Sequence, residues 1–531
     1  MKTNNPSKFT MRRRKTVKLM NTIRKHIMTA AVVVFLLFFS GHAMAEPTPG
    51  YNTKSPEYIM TPDIVETRIG TLKFFDGIPT KETAALLYDN LDFLRGVETF
   101  LNGIPATSVE GIRLGMERLG LKNSNQALIF DELMDSNPLF LTGNTSTVYC
   151  SVMLDLKKDG LTVVEVPPKS GPGTVNDAYF RFVIDMGPPG PDRGKGGKYL
   201  ILPPVYEGEV PEGYFTAKST SWVNWLILRG FLVDGKPDFS SNLFRTGLRV
   251  YPLAKAANPP KMEFVNGSGK PFNTIHANNY EFYEELHAVI DREPVEMLDP
   301  ELRGLFASIG IQKGKPFAPD ERMKKILIDA VAVANGTARA LLWYERNPSE
   351  FFHENTYWKR GFIGNSYEYL RNEGMGGRHL DARTHFYYFA TVNTPAMAMK
   401  LVDRGSKYAW GYLDSKGNYL DGGKTYKMNL PKDPPAKQFI SIVLYDPQTR
   451  SELQTGQPYP SYSSARDKDK VSLNSDGSVD LYFGPKAPVG KESNWLQTVP
   501  GKGWFCLLRL YSPTEAWYEG KWLPGEIELV E

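Results

Sequence analysis

Residues 420–531 run as short apolar stretches, each closed by a turn, and this pattern constrains the fold more than any other in the chain. Phe439-Ile-Ser-Ile-Val-Leu-Tyr445 and Trp504-Phe-Cys-Leu-Leu-Arg-Leu-Tyr511 are apolar, carry aromatic residues and are bounded by polar or Pro-containing segments. Such runs read as buried strands. Asn474-Ser-Asp-Gly477 sits between two of them, and Asp-Gly favours a tight hairpin because glycine takes positive φ at no steric cost. Asp414-Ser-Lys-Gly417 and Asp421-Gly-Gly423 repeat the device. Strands of this length with turns about every ten residues predict a two-sheet or jelly-roll domain.

A second β region is expected over residues 126–254. Val148-Tyr-Cys-Ser-Val-Met-Leu-Asp-Leu156, Leu161-Thr-Val-Val-Glu-Val166, Tyr179-Phe-Arg-Phe-Val-Ile184 and Tyr199-Leu-Ile-Leu202 are strand-like and separated by Gly and Pro. The loop Gly187-Pro-Pro-Gly-Pro-Asp-Arg-Gly-Lys-Gly-Gly-Lys198 lacks the G-x-x-x-x-G-K-[ST] spacing. A strand follows it, rather than a helix whose N-terminus could hold phosphate. The rest reads as helical. A linker and helical lead-in fill 46–125, with a helix over 80–101 and a second opening at the capping box Thr107-Ser-Val-Glu110 and stopping at Gly120. A helical arm fills 255–384, with helices over 281–292 and 320–342. The expectation is an α+β chain, mainly β with a helical insert: an N-terminal β sandwich, the arm, and a C-terminal jelly-roll sandwich over 385–531.

The blocks Tyr419-Leu-Asp-Gly-Gly-Lys-Thr-Tyr426, Tyr445-Asp-Pro-Gln-Thr-Arg-Ser451, Asp476-Gly-Ser-Val-Asp-Leu-Tyr-Phe-Gly-Pro485, Asn494-Trp495 and Arg509-Leu-Tyr511 resemble the bacterial domain-of-unknown-function family 1214. Phe439-Ile440-Ser441 stands where that family has Phe-Trp-Ser. Asp131-Glu-Leu-Met-Asp135, Gly143-Asn-Thr-Ser-Thr-Val-Tyr149, Gly196-Gly-Lys-Tyr-Leu-Ile-Leu-Pro203 and Arg229-Gly-Phe-Leu-Val-Asp-Gly235 resemble family 1254, which precedes it. The resemblance implies two β domains joined by a helical region and brings no established activity.

Residues 1–45 hold nine Lys or Arg and no acid, then the apolar run Ala30-Ala-Val-Val-Val-Phe-Leu-Leu-Phe-Phe39, then Ala43-Met-Ala45. This is the pattern of a secretory signal peptide cleaved after Ala45. The apolar run is short of the ~20 residues a spanning helix needs, so no transmembrane segment is expected in the mature form. The mature chain is expected in the periplasm or secreted. Taking nine from 63 basic residues leaves 54 against 59 acidic ones, so the basic excess belongs to the leader. Nothing favours a nucleic-acid partner. Cys150 and Cys506 fall in separate strand runs. Two buried thiols are the expectation, with a disulfide as the alternative.

No G-x-S-x-G, H-E-x-x-H or cysteine-rich metal spacing occurs, and no cofactor is called for. The five histidines beyond residue 45 all lie between 276 and 385, so any histidine-based chemistry belongs to the arm or its junctions. His276, His379 and His385 with Asp381 are the candidate acid–base groups. Glu284 and His287, three apart on a helix, are the candidate metal ligands. Ser221-Trp-Val-Asn-Trp-Leu-Ile-Leu-Arg229 reads either as a helix presenting Trp222, Asn224 and Arg229 to a ligand or as core packing. Trp495, among the four tryptophans of the last 37 residues, is a candidate stacking platform. The expected function is binding of a small molecule or glycan, or assembly as a homo-oligomer. A hydrolase, metal-assisted or not, at the junction of arm and β domains is the alternative.

Overall fold

The computed structural model describes residues 53–344, 346 and 350–530. Residues 1–45, where a signal peptide is expected, lie outside them. The chain divides into two compact units at Ala84/Ala85. The first carries a small antiparallel sheet of Ile64–Thr67, Gly70–Phe75 and Ile78–Pro79. All that follows concerns the second.

One helix, α1 (Lys81–Arg118), runs where the sequence predicts two. Pro105 does not break it, and the predicted capping box at Thr107 is not a start. Thr107 Oγ1 instead donates back to the Ile104 carbonyl at 3.2 Å, and Glu110 pairs with Arg113 and Arg292. Tertiary burial overrides the local stop signal here: Phe100, Ile104, Val109 and Ile112 all lie in the core. Gly111 is required by close approach, because a Cβ there would sit 2.5 Å from the Thr274 carbonyl oxygen.

The first β region forms two sheets. The six-stranded one has the order Glu263–Asn266, Gln126–Ile129, Val148–Asp155, Val223–Gly230, Gly173–Asp177 and Phe182–Met186. The four-stranded one has the order Phe215–Lys218, Gly197–Leu202, Thr162–Val166 and Arg249–Pro252. They share a core: Cys150, Val152, Leu154, Leu226 and Leu228 meet Val164, Tyr199, Ile201 and Val250, with Phe244 of α2 (Asp238–Gly247) at its edge.

Three helices follow, α3 (Glu281–Arg292), α4 (Pro300–Ala307) and α5 (Glu321–Trp343), then α6 (Leu380–Phe389). Asp320 caps α5 by accepting from the Met323 N–H at 2.7 Å. Leu327, Val331, Ala334, Ala338 and Leu342 recur at helical spacing and bury the inner face of α5 within this chain. Among the described residues α5 is the helix long and apolar enough to cross a membrane by length and composition.

The second β region repeats the plan. Its five-stranded sheet runs Lys359–Arg360, Ser406–Gly411, Phe505–Pro513, Ala436–Tyr445 and Ser461–Ser463. Its four-stranded sheet runs Trp495–Gln497, Val479–Gly484, Thr425–Leu430 and Glu528–Val530. Ile440, Ile442, Leu444, Leu508 and Leu510 meet Tyr426, Met428, Leu481 and Phe483 between them. Cys150 and Cys506 therefore sit in different cores as free thiols. The fold is α+β, with several sheets and helices between them.

Strand alternation leaves each larger sheet with a second face. Tyr149, Trp225 and Ile227 of one, and Trp410, Val443, Tyr445, Phe505 and Leu507 of the other, join α1, α3, α5 and α6 in a central core. The turn Asp446-Pro-Gln-Thr-Arg-Ser451 locks this core. The Arg450 N–H donates to the Asp446 carbonyl at 2.7 Å, its carbonyl accepts from Thr142 N–H at 2.8 Å, and its guanidinium lies 4.3 Å over Tyr388.

Candidate functional site

The register of the strands brings five central-facing side chains together. Arg229 stands opposite Tyr149 in the six-stranded sheet. Arg509 stands opposite Tyr408 in the five-stranded sheet, with Tyr511 two residues on. These five line one cavity of about 40 Å³, closed by Phe362, Phe386 and Val392 among others. A water needs about 10–15 Å³ by the same measure, so the space holds about three waters or one small planar group.

The cavity is electropositive. Arg229 is 7% exposed and Arg509 3%. Arg509 Nη2 donates to the Thr142 and Gly143 carbonyls at 2.7 and 3.1 Å, and its Nη1 has no partner. The two guanidiniums lie 5.5 Å from the rings of Tyr149 and Tyr445 respectively. Among the described residues no carboxylate comes within ion-pair distance of either. Burial works against the charge on Arg229 and on Arg509, yet a guanidinium is too basic to give up its proton, so both remain cations. Tyr511 accepts from Asn144 Nδ2 at 2.6 Å, and burial chiefly pushes its phenol up, so its O–H stays a donor.

Two buried carboxyls lie nearby, though among the described residues neither is within ion-pair distance of these arginines. Burial pushes Glu452 well above the carboxylate range, and both its oxygens lack a partner. Burial likewise pushes Asp185 up to about 6, while Thr394 Oγ1 donates to it at 2.7 Å. A buried cation without a counter-charge costs several kcal/mol. The arrangement therefore favours an anion with two acceptor oxygens, the geometry guanidinium groups match best.

The residues singled out from the sequence lie in several places. The segment ending at Arg229 is a strand, not a helix, so Trp222 and Asn224 face away from the central core while Arg229 faces it. Asn224 is buried, accepting from Ser219 Oγ at 2.7 Å and donating to the Ser221 carbonyl at 3.1 Å. The Trp222 N–H donates to Glu293 at 2.6 Å. Trp495 donates from Nε1 to the Gly484 carbonyl at 2.8 Å on an edge strand. His379 caps α6 by accepting from the Ala382 N–H, and Asp381 pairs with Arg346. His385 is buried beside Phe389 and Trp410 with neither ring nitrogen partnered. His287 contacts the Lys315 carbonyl at 2.8 Å and stacks on Phe317, while Glu284 is exposed. Among the described residues no three metal-binding groups gather. Sequence reasoning missed Tyr149, Tyr408, Arg509 and Tyr511 as site residues.

His276 is packed against Phe100, Phe282 and Tyr388, with Nδ1 2.8 Å from the Ala277 carbonyl and Nε2 unpartnered. Nδ1 therefore carries the proton of a neutral ring. Burial first, and the Arg450 charge second, pull this imidazole down from 6.5 to about 4. Between those values the unfolded chain binds a proton that the folded chain refuses. Stability present above pH 6.5 is thus lost as pH falls toward 4, by about 3 kcal/mol from this group. His276→Phe keeps the ring contacts and removes the titration. Urea unfolding at pH 7 and pH 4.5 should show a smaller acid loss for the variant; an equal loss would assign the acid sensitivity elsewhere.

Two known sequence families match. The one described as "Protein of unknown function (DUF1254)" matches residues 124–252, and "Protein of unknown function (DUF1214)" matches residues 405–515. No curated protein matches the chain. Among solved structures, the VPA0106 protein from Vibrio parahaemolyticus is similar at 15% identity and a TM-score of 0.51, over 83% of this chain and all of that one. An uncharacterized protein from Burkholderia cenocepacia is similar at 10% identity and a TM-score of 0.38, over 84% of this chain and 96% of that one. Tyr149 and Arg229 fall in the first matched range, and Tyr408, Arg509 and Tyr511 in the second, so each domain supplies one arginine to the cavity. The chain is a protein of two such domains, DUF1254 followed by DUF1214.

Proposed function

We propose that this is an exported binding protein for a small organic acid, whose carboxylate sits between Arg229 and Arg509. The observation that carries the reading is the pair of buried guanidiniums, one from each domain, facing one cavity without a carboxylate partner among the described residues. The cavity's size supports a carboxylate group over a bulkier tetrahedral anion. Export rests on the leader pattern of residues 1–45. The same reading takes each sheet pair as a β sandwich, the second of jelly-roll kind, supported by the core each pair shares.

A second reading, glycan binding, has its own support. An open cleft of about 580 Å³ carries Trp343, Tyr344 and Tyr419 beside Asp446, Gln448 and Lys502. Tyr344 is 67% and Tyr419 47% exposed, as stacking platforms for sugar rings would be.

Thermal unfolding at constant ionic strength tests both. Formate and acetate should raise the melting temperature while acetamide, of the same shape and no charge, should not. A ligand at a hundred times its Kd stabilises by about 2.7 kcal/mol. Equal effects of acetate and acetamide would end the carboxylate reading. Stabilisation by oligosaccharides alone would transfer the function to the aromatic cleft.

A further inference from the structure

A second cavity, of about 420 Å³, lies on the other side of Tyr408, Phe362 and Met397. It is lined by Arg360, Lys400 and Lys407 and by the rings of Phe352, Trp517 and Tyr518, and no Asp or Glu lines it among the described residues. Lys407 is the unusual member. It is 9% exposed, and among the described residues no carboxylate is within ion-pair distance of it. Its Nζ donates to the Met397 and Ala398 carbonyls, each at 2.8 Å, at the end of the single turn Pro395–Ala398. The two carbonyls take two of its hydrogens and leave the third position on nitrogen without a hydrogen-bond partner, which is where the neutral amine would carry its lone pair. Lys400, by contrast, is ion-paired with Glu515 and shares the Tyr518 ring, 5.3 Å away against 5.9 Å for Lys407.

We infer that Lys407 is a nucleophilic amine that forms an imine with a small oxo acid bound in this cavity. The nitrogen lone pair attacks the carbonyl carbon, a C–N bond forms, and the carbonyl oxygen takes up a proton. The carbinolamine then loses that oxygen as water together with the second amine hydrogen, leaving C=N. No oxidant or reductant is consumed. Arg360, whose guanidinium has backbone carbonyls as its partners, suits the carboxylate of such a ligand, and the rings exclude water from the imine. Burial also lowers the basicity of Lys407, to about 7, so a large share of it is neutral near physiological pH. The inference stands independently of the arginine cavity and needs no anion there.

Reductive trapping tests it. The full chain is incubated with glyoxylate and sodium cyanoborohydride at neutral pH, digested, and mapped by mass spectrometry. Carboxymethylation should reach Lys407 before Lys400 and before the exposed surface lysines. In Lys407→Arg, which keeps the charge and removes the amine, that early-labelled peptide should be lost and the slow background kept. Labelling of Lys400 or of surface lysines ahead of Lys407 overturns the proposal. Should the variant not fold, the time course on the parent chain decides alone.

Discussion

Replacing Arg229 and Arg509 together by methionine should abolish carboxylate binding and leave the ligand-free chain at least as stable as the parent. The two parts of this result have separate causes. Removing one partner of a buried, hydrogen-bonded charge pair costs about 2–5 kcal/mol, which is about 30-fold to several-thousand-fold in affinity for each arginine. Stability moves the other way because the two guanidiniums are desolvated without a counter-charge, at several kcal/mol each, and methionine fills similar length with no charge. The opposing cost is small. Arg509→Met orphans the Thr142 carbonyl, worth about 1–3 kcal/mol, but the Gly143 carbonyl keeps the Tyr445 hydroxyl at 2.6 Å. Calorimetric titration with acetate and urea unfolding in carboxylate-free buffer read the two parts. Retained binding in the double variant would remove the arginine cavity as the site. Loss of folding in both single variants would mean that the arginines are structural.

The sequence made the strands legible because their core faces alternate with period two. Cys150, Val152 and Leu154 take one side, and Tyr149 and Ser151 the other. It also marked Arg229 and the Arg509-Leu-Tyr511 block, the first as a ligand candidate and the second only as a family signature. It did not show that they meet. Tyr149 and Arg229 are 80 residues apart and Tyr408 and Arg509 about a hundred, and only sheet register sets them opposite each other. The 221–229 run was ambiguous for a different reason. Trp222, Trp225 and Leu226 fit a helical period, while Trp222, Leu226 and Leu228 fit an alternating one, and a short apolar run does not separate the two. The crowding of histidines between 276 and 385 did not by itself mark a site, because two of the five are ring partners in the aromatic core. His276 lies among Phe100, Phe282 and Tyr388, and His385 beside Trp410.

That aromatic core also sets the largest expected stability effect. Trp410→Ala should destabilise the chain by about 3–5 kcal/mol, the usual cost of truncating a fully buried aromatic. Trp410 is wholly buried on the central face of the five-stranded sheet. It stacks on Tyr412 at 4.7 Å and on Phe389 of α6 at 5.3 Å, and meets Trp343 of α5 at 5.5 Å. The Lys359 ammonium lies 5.0 Å from the centre of its ring. One side chain thus ties a strand, two helices and a buried cation, so its removal leaves a cavity that no single neighbour can fill. Trp410→Phe separates packing from the specific ring. It retains an aromatic face toward Phe389 and Lys359, and the indole Nε1 that it removes has no hydrogen-bond partner to lose. Urea unfolding should therefore place Trp410→Phe much nearer the parent than Trp410→Ala. Equal losses in the two variants would show that the full indole outline, rather than burial of an aromatic ring, holds the helices against this sheet.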